Sequence, residues 1–161
     1  MSRTSANDRP PQPRESAHGA TFIGWREWLG LPDLGIAWIK AKIDTGARTS
    51  ALHTFELEVA HEAGRKIARF GVHPYQRDTD IVRWCQAPVI DERRVRDSGG
   101  HREWRFVIET PVRLGDREWP IEITLTARDT LLFRMLVGRT AMRSIRIDPL
   151  ASFLTGRPPE A

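Results

Sequence analysis

The sequence predicts a small all-β fold, a closed barrel with one short C-terminal helix. Three observations carry that expectation. Short runs of alternating apolar and polar residues recur along the chain, and side chains in a strand alternate faces with period two. Turn residues such as Gly, Pro and Asp separate these runs at close spacing. Almost nothing between them reads as helix. With 161 residues and 40% hydrophobic content, the chain is long enough for one domain with a core.

The elements follow in order. Residues 1–20 are rich in Ser, Arg and Pro, show no apolar periodicity, and are expected to form a disordered arm. The domain is placed at residues 21–155. Phe22, Ile23, Trp25, Trp28 and Leu29 suggest a short strand with some likeness to one helical turn. Leu31-Pro32-Asp33-Leu34-Gly35 is a turn. The next strand runs from Ile36, with Ala37, Ile39, Ala41 and Ile43 sharing one face. Ser50 to Val59 alternates again, Glu62-Ala63-Gly64 turns, and Arg65 to His73 returns as a hairpin. Ile81 to Ile90 is a strand limited by Pro88. Asp91 to Arg102 is expected to be a charged, mobile loop. Glu103 to Thr110 is a strand, and Val112-Arg113-Leu114 turns through Gly115-Asp116 into Glu118 to Thr126. Leu131 to Val137 is almost wholly apolar, the pattern of a strand buried on both faces. Arg139 to Ser144 has room for one or two helical turns, and Ile145 to Leu154 is a last strand. Residues 156–161 are expected to be a disordered tail.

Composition narrows the function classes. There are 25 Lys plus Arg against 21 Asp plus Glu. All but Lys40, Lys42 and Lys66 of the basic residues are Arg. Such a bias fits genomic base composition, or a surface for acidic partners. The one cysteine, Cys85, excludes an intrachain disulfide and fits a reducing compartment. No apolar run has the length of a membrane span, and the first residues lack the apolar core of a secretory signal, so a cytoplasmic protein with no membrane partner is expected. The six tryptophans are expected mostly in the core or an interface. No RNA-binding motif accompanies them, and no nucleic-acid partner is expected.

The most specific stretch is Ile36 to His53. Its alternating run ends abruptly in Asp44-Thr45-Gly46-Ala47, which puts a carboxylate where a strand stops and a glycine turn begins. A D-T-G-[AS] string arises by chance in a chain of this length at roughly one in a few hundred. Gly46 permits close backbone approach, and Thr45 is a short hydroxyl able to bond across to another loop or chain. Far downstream lie Leu136-Val137 and then Gly138. An apolar-Asp-Thr-Gly-Ala string paired with a later apolar-apolar-Gly and a short helix is the layout of half an aspartic peptidase.

The sequence resembles a bacterial retropepsin-like aspartic peptidase family that is often labelled ATP-dependent zinc protease. The match is carried by K-I-D-T-G-A-R-T-S-A-L-H (42–53), V-H-P (72–74), W-P-I-E-I-T-L-T-A-R (119–128) and M-L-V-G-R-T-A-M (135–142). The resemblance implies a retropepsin-like barrel and a homodimer, since one chain holds half an active site. It implies that Asp44 of each subunit activates a water against a peptide or protein substrate. Thr45 would lock the two loops across the two-fold axis, and Gly46 and Ala47 would contact substrate. Retroviral relatives carry an acidic residue after D-T-G-A that pairs with the Arg after the later Gly. Here Arg48 stands in that place and Arg139 is also basic, so that pair cannot form. The expectation is instead that Arg48 and Arg139 favour acidic side chains or a carboxylate terminus in the substrate. The resemblance further implies a functional link to an ATP-grasp glutamate ligase.

Competing motifs are weaker. Asp97-Ser98-Gly99 resembles a second D-[ST]-G, but Arg94, Val95 and Arg96 before it are no apolar strand, and a polar turn is expected. His61-Glu62 opens an H-E-x-x-H pattern in which Arg65 replaces the second His and Gly64 predicts a turn. His53 and His73 come close only if their strands pair. Neither a metal nor another cofactor is expected, and no G-x-x-x-x-G-K-[ST] loop supports ATP binding. Cys85 reads as a small buried apolar residue rather than a nucleophile. The alternatives to a peptidase are a non-catalytic peptide-binding barrel of the same fold and a zinc-dependent hydrolase.

Overall fold

A computed structural model describes residues 21–96, 99–127 and 132–159. The expected arm, residues 1–20, lies outside them, as do Asp97 and Ser98. The strands are β1 (Thr21–Leu31), β2 (Ile36–Ile43), β3 (Ser50–His53), β4 (Phe55–Glu62), β5 (Arg65–Val72), β6 (Arg83–Pro88), β7 (Asp91–Arg96), β8 (Arg102–Leu114), β9 (Arg117–Thr126), β10 (Met135–Val137) and β11 (Ile145–Ser152). Two 3₁₀ turns, Pro32–Leu34 and Arg139–Ala141, are the helical elements among the described residues.

Eight strands form one sheet in the order β11-β1-β2-β10-β3-β9-β8-β7, and β1 also meets β8. That contact, Gly30 opposite Arg113, joins the ends of six strands into a hydrogen-bonded ring. β4, β5 and β6 form a separate antiparallel sheet. Buried side chains from both sheets, among them Ile23, Ile39, Leu52, Phe70, Ile108 and Ile123, make one apolar cluster. Each such side chain contributes about 1.5–3 kcal/mol on burial.

The strand at Asp44 keeps most of its expected pattern. Ile39, Ala41 and Ile43 are buried, but Ala37 is exposed and Ile36 takes the inward place. The cause is a bulge in the β1–β2 pairing between Leu29 and Leu31, which shifts the register by one residue and reverses which face is inward. β1 is a strand throughout, with no helical turn.

Several expectations need correction. The alternating run from Ser50 to Val59 is two strands in two sheets. β3 lies between β10 and β9, so all four of its residues are buried. β4 belongs to the other sheet, with Glu56 and Glu58 exposed and Phe55, Leu57 and Val59 half-buried. The charged segment after Asp91 is not a loop at its start but the edge strand β7, paired with β8 from Asp91↔Val107 to Arg96↔Arg102. Ladder hydrogen bonds need only backbone, and charged side chains are a usual way to guard an edge. Arg93 further ties it down by bonding Asp91 at 2.8 Å and Glu122 at 2.6 Å. β8 runs unbroken through Pro111, which faces Pro120. Two prolines can oppose one another at a non-hydrogen-bonded pair, where neither N–H is needed. The apolar run before Gly138 yields only the three-residue β10, and Leu132 is exposed.

The helix after Gly138 is a single 3₁₀ turn. Its leading N–H groups bond residues 47 and 48 instead of extending a helix, and Ser144 at φ 57° leaves helical geometry. Of the tryptophans only Trp119 is buried; Trp84 and Trp104 are largely exposed, and Trp25, Trp28 and Trp38 are half-buried. Glu27 is fully buried, a charge position that nothing in the sequence announces. Its carboxylate accepts bonds from the N–H groups of Leu154 (2.9 Å) and Thr155 (2.8 Å) and from the Thr155 hydroxyl (2.8 Å), anchoring the chain after β11.

Candidate active site

The site begins with two parallel neighbours. β10 pairs with β2 in the register Met135↔Ala41 to Val137↔Ile43. The Asp44 N–H continues that ladder by donating to the Val137 carbonyl at 2.9 Å. The chain then turns. The Gly46 N–H donates to Asp44 Oδ1 at 3.0 Å, and the Ala47 N–H donates to the Asp44 carbonyl at 3.2 Å. Asp44 is half-buried, while Thr45 and Gly46 are exposed. A Cβ on Gly46 would sit 3.2 Å from Asp44 Oδ1, tight enough to disturb the carboxylate.

The 3₁₀ turn after β10 grips the same loop. The Arg139 N–H donates to the Ala47 carbonyl at 2.8 Å, and the Thr140 N–H and hydroxyl both donate to the Arg48 carbonyl, at 3.1 and 2.8 Å. The Arg139 guanidinium adds bonds to the carbonyls of Thr45 (3.3 Å) and Gly46 (3.2 Å). Gly138 crosses the backbone of Thr49 so closely that a Cβ would lie 2.6 Å from the Thr49 carbonyl carbon. The buried Ser50 hydroxyl accepts the Gly138 N–H at 3.1 Å. The Trp119 indole closes the far side by donating to the Ala141 carbonyl at 3.1 Å. Each of these bonds is worth about 0.5–1.5 kcal/mol net. Their joint effect is to fix where the Asp44 carboxylate sits.

The structure therefore brings Asp44, Thr45, Gly46, Ala47 and Arg139 together, with Leu136-Val137-Gly138 alongside. The Arg48 side chain is exposed and makes no hydrogen bond or ion pair with a described residue, whereas the Arg139 side chain is engaged on the loop. Sequence reasoning missed Ser50, Thr140 and Trp119. The only available signal was Thr49-Ser50, a polar pair opening a buried strand, since a buried hydroxyl needs a partner.

Among the described residues, no group of three His, Cys, Asp or Glu is placed to hold a metal ion. His53 is buried in β3, and His73 lies face to face on the Phe55 ring, 4.3 Å between centroids. These donors do not fit the zinc of the family label. Cys85 is buried with its thiol 3.4 Å from the Leu34 carbonyl, and burial pushes that thiol up to about 11. Among the described residues, no helix is long and apolar enough to cross a membrane.

Comparison with known proteins agrees with this geometry. Residues 22–158 match the RimB-like family model, described as "Retropepsin-like aspartic endopeptidase RimB". A Desulfotalea psychrophila protein named "Probable alpha-L-glutamate ligase" is 46% identical over 129 residues, which is 80% of this chain but 28% of the relative. A Shewanella pealeana protein of the same name is 40% identical over 136 residues, 84% of this chain and 30% of the relative. The chain thus spans under a third of the curated relatives it matches. The crystal structure of Lpg0085 from Legionella pneumophila, a DUF785 protein of unknown function, superposes with a TM-score of 0.71 at 25% identity, covering 84% of this chain and 98% of that one. The family match covers the Asp44 loop, the β10 strand that supports it and the turn that grips it, and on that ground the chain belongs to the RimB-like family of retropepsin-like aspartic endopeptidases.

Proposed function

We propose that the protein is a homodimeric aspartic endopeptidase in which the Asp44 carboxylates of two protomers face one water. The ring of strands is read as a retropepsin-like barrel. The observation that carries this is the Asp44 turn itself, held by β10 and the Arg139–Ala141 turn, with Thr45 and Gly46 left exposed. Among the described residues no second carboxylate is bonded to Asp44, and in this reading the other member of the pair comes from another chain. The edge strand β11 offers that chain a surface, with Leu150 at its outer side almost fully exposed.

Two carboxylates a few ångströms apart share one proton, because both cannot easily ionise together. The ionised member takes a proton from the water as it attacks the scissile carbonyl carbon. The protonated member donates to the carbonyl oxygen. The resulting tetrahedral gem-diol then collapses. One carboxyl passes the proton taken from water to the amide nitrogen, and the C–N bond breaks to release the amine. The other carboxylate takes back a diol proton, and no covalent enzyme intermediate is required. The Arg139 bonds to the carbonyls of Thr45 and Gly46 keep the turn from relaxing during this exchange.

The substrate is proposed to be acidic, in particular glutamate-rich peptide. The relatives that carry this domain are named glutamate ligases, and a hydrolase beside a ligase acts naturally on the ligase's product. The Arg48 side chain, exposed and without a hydrogen-bond or ion-pair partner among the described residues, is suited to grip a substrate carboxylate. The site of action is proposed to be the cytoplasm, where a single reduced cysteine is at home.

A peptide-cleavage assay on a glutamate-rich library tests the proposal. Wild-type cleavage that disappears in Asp44→Asn, in a protein that sediments as a dimer, is the expected result. Binding without cleavage by either protein would replace the peptidase with a peptide-binding module. Equal cleavage of neutral and glutamate-rich peptides, unaltered in Arg48→Ala, would remove the acidic preference.

A further inference from the structure

A second concentration of functional side chains lies on the same strand as Asp44, on the opposite face from the core. Arg26 and Lys42 are register partners across β1 and β2, as are Trp28 and Lys40. Other segments pack over this face. Phe133 lies edge-on to Trp25 at 5.9 Å, Phe153 stacks on Trp28 at 6.2 Å, and the segment around Gln76 is tied to Leu132 and Arg134. The result is a cluster of rings and cations on this face.

The described charges that act on Lys40 are of one sign. The Lys40 ammonium lies 5.9 Å from the ring centres of both Trp28 and Phe133. The Arg26 guanidinium lies 4.7 Å from Trp25 and 4.8 Å from Phe153. Arg77 acts on Lys40 from the Gln76 segment. Burial, then the charges of Arg26 and Arg77, hold the Lys40 ammonium below its ordinary range. Among the described residues no carboxylate pairs with Lys40, Arg26 or Arg77. Arg26 and Lys40 are half-buried and Arg77 is exposed beside them. Like charges gathered without a counter-charge are costly to keep, and an anionic ligand relieves that cost.

We infer that Lys40, Arg26 and Arg77 form an exosite that holds carboxylate side chains of an acidic peptide at a distance from Asp44. This deepens the proposed function and rests on its acidic substrate. Two features favour a peptide over a nucleic acid. Lys40 and Lys42 are spaced about 7 Å apart on one face of β2, the interval between alternate side chains of an extended peptide. The rings already carry contacts, Trp25 with Arg26 and Trp28 with Lys40 and Phe153, which leaves them less open to a stacking base. Lys40 stands four residues before Asp44, about 13 Å along an extended chain. A run of glutamates could occupy the exosite while another part of the same peptide lies at the catalytic turn.

The test is binding, made in the Asp44→Asn background so that cleavage does not enter. An oligo-L-glutamate peptide is titrated against the whole chain and followed by tryptophan fluorescence at low and high salt. The expected result is saturable, salt-sensitive binding that weakens about tenfold in Lys40→Gln and in Arg77→Gln, the loss of one charge-assisted contact each. Lys40→Arg should restore it. Thermal melting of each variant establishes that the fold is kept. Unchanged affinity in the folded Lys40→Gln, Arg77→Gln double variant overturns the exosite and leaves the peptidase standing. Tighter, Lys40-dependent binding of a single-stranded oligonucleotide also overturns it, in favour of nucleic acid. Lys40-dependent glutamate binding in a protein that cleaves nothing keeps the exosite and removes the peptidase.

Discussion

The two halves of β2's neighbourhood are stabilised in opposite ways. At its end, the Asp44 turn is held by hydrogen bonds of the backbone: Asp44 donates to Val137, while Gly46, Ala47 and the Arg139–Ala141 turn donate to the loop. Along its outer face, Lys40 sits among rings and like charges with no counter-charge from the described residues. The first arrangement fixes a position, as chemistry at a single bond requires. The second leaves electrostatic attraction unspent, as capture of a charged ligand requires. A substitution should therefore damage structure or turnover in the first region and affinity in the second.

The largest expected effect is Asp44→Asn. Cleavage should fall to background, with the melting temperature little changed because Asn can still accept the Gly46 N–H. Peptidase activity that persists in the variant would contradict the catalytic reading. Next is Gly138→Ala. Its Cβ would meet the backbone of Thr49, which has no flexible end to move aside. A loss of about 2–3 kcal/mol in chemical denaturation is expected, with activity lost as well. Ser50→Ala removes the buried acceptor of the Gly138 N–H. It should cost about 1–2 kcal/mol by the same measurement, and a cost near zero would mean that the crossing is held by packing alone. Lys40→Gln belongs to the other region. It should leave stability unchanged or slightly raised, since a repulsive charge is removed, while oligo-glutamate affinity drops.

The smallest effect concerns Cys85. Its thiol is raised from 9.0 to about 11 by burial, so the folded state holds that proton more tightly than the unfolded chain. The associated stability is fully present below pH 9.0 and declines as pH rises toward about 11. Slow alkylation of the native protein at neutral pH, made fast by denaturant, is the check.

The Asp44 turn was legible because its constraints are local. A strand with period-two burial, a carboxylate at its end and a glycine that must not carry a Cβ are all written in consecutive residues. Leu136-Val137-Gly138 was legible for a similar reason, as an apolar pair before a glycine. β7 was not, because pairing at a sheet edge depends on the backbone of β8 and on Arg93 reaching Glu122, and the side chains of Asp91–Arg96 carry no apolar stripe. The split at Thr54 was hidden by an alternation that two strands in different sheets happen to continue.

Sequence alone determined the mostly β character of the described residues, the position of the acid and the glycines that make room for the turn, because periodicity and steric demand act between near neighbours. Tertiary structure decided the rest. It put Ile36 rather than Ala37 inward at the start of β2, through a bulge opposite Leu29 and Leu31. It buried Glu27 against backbone donors more than a hundred residues away. It also gathered Arg26, Lys40 and Arg77 from three segments into one cluster of charge that no described carboxylate pairs with. Contacts of that separation are chosen by how whole strands pack, and no local pattern encodes them.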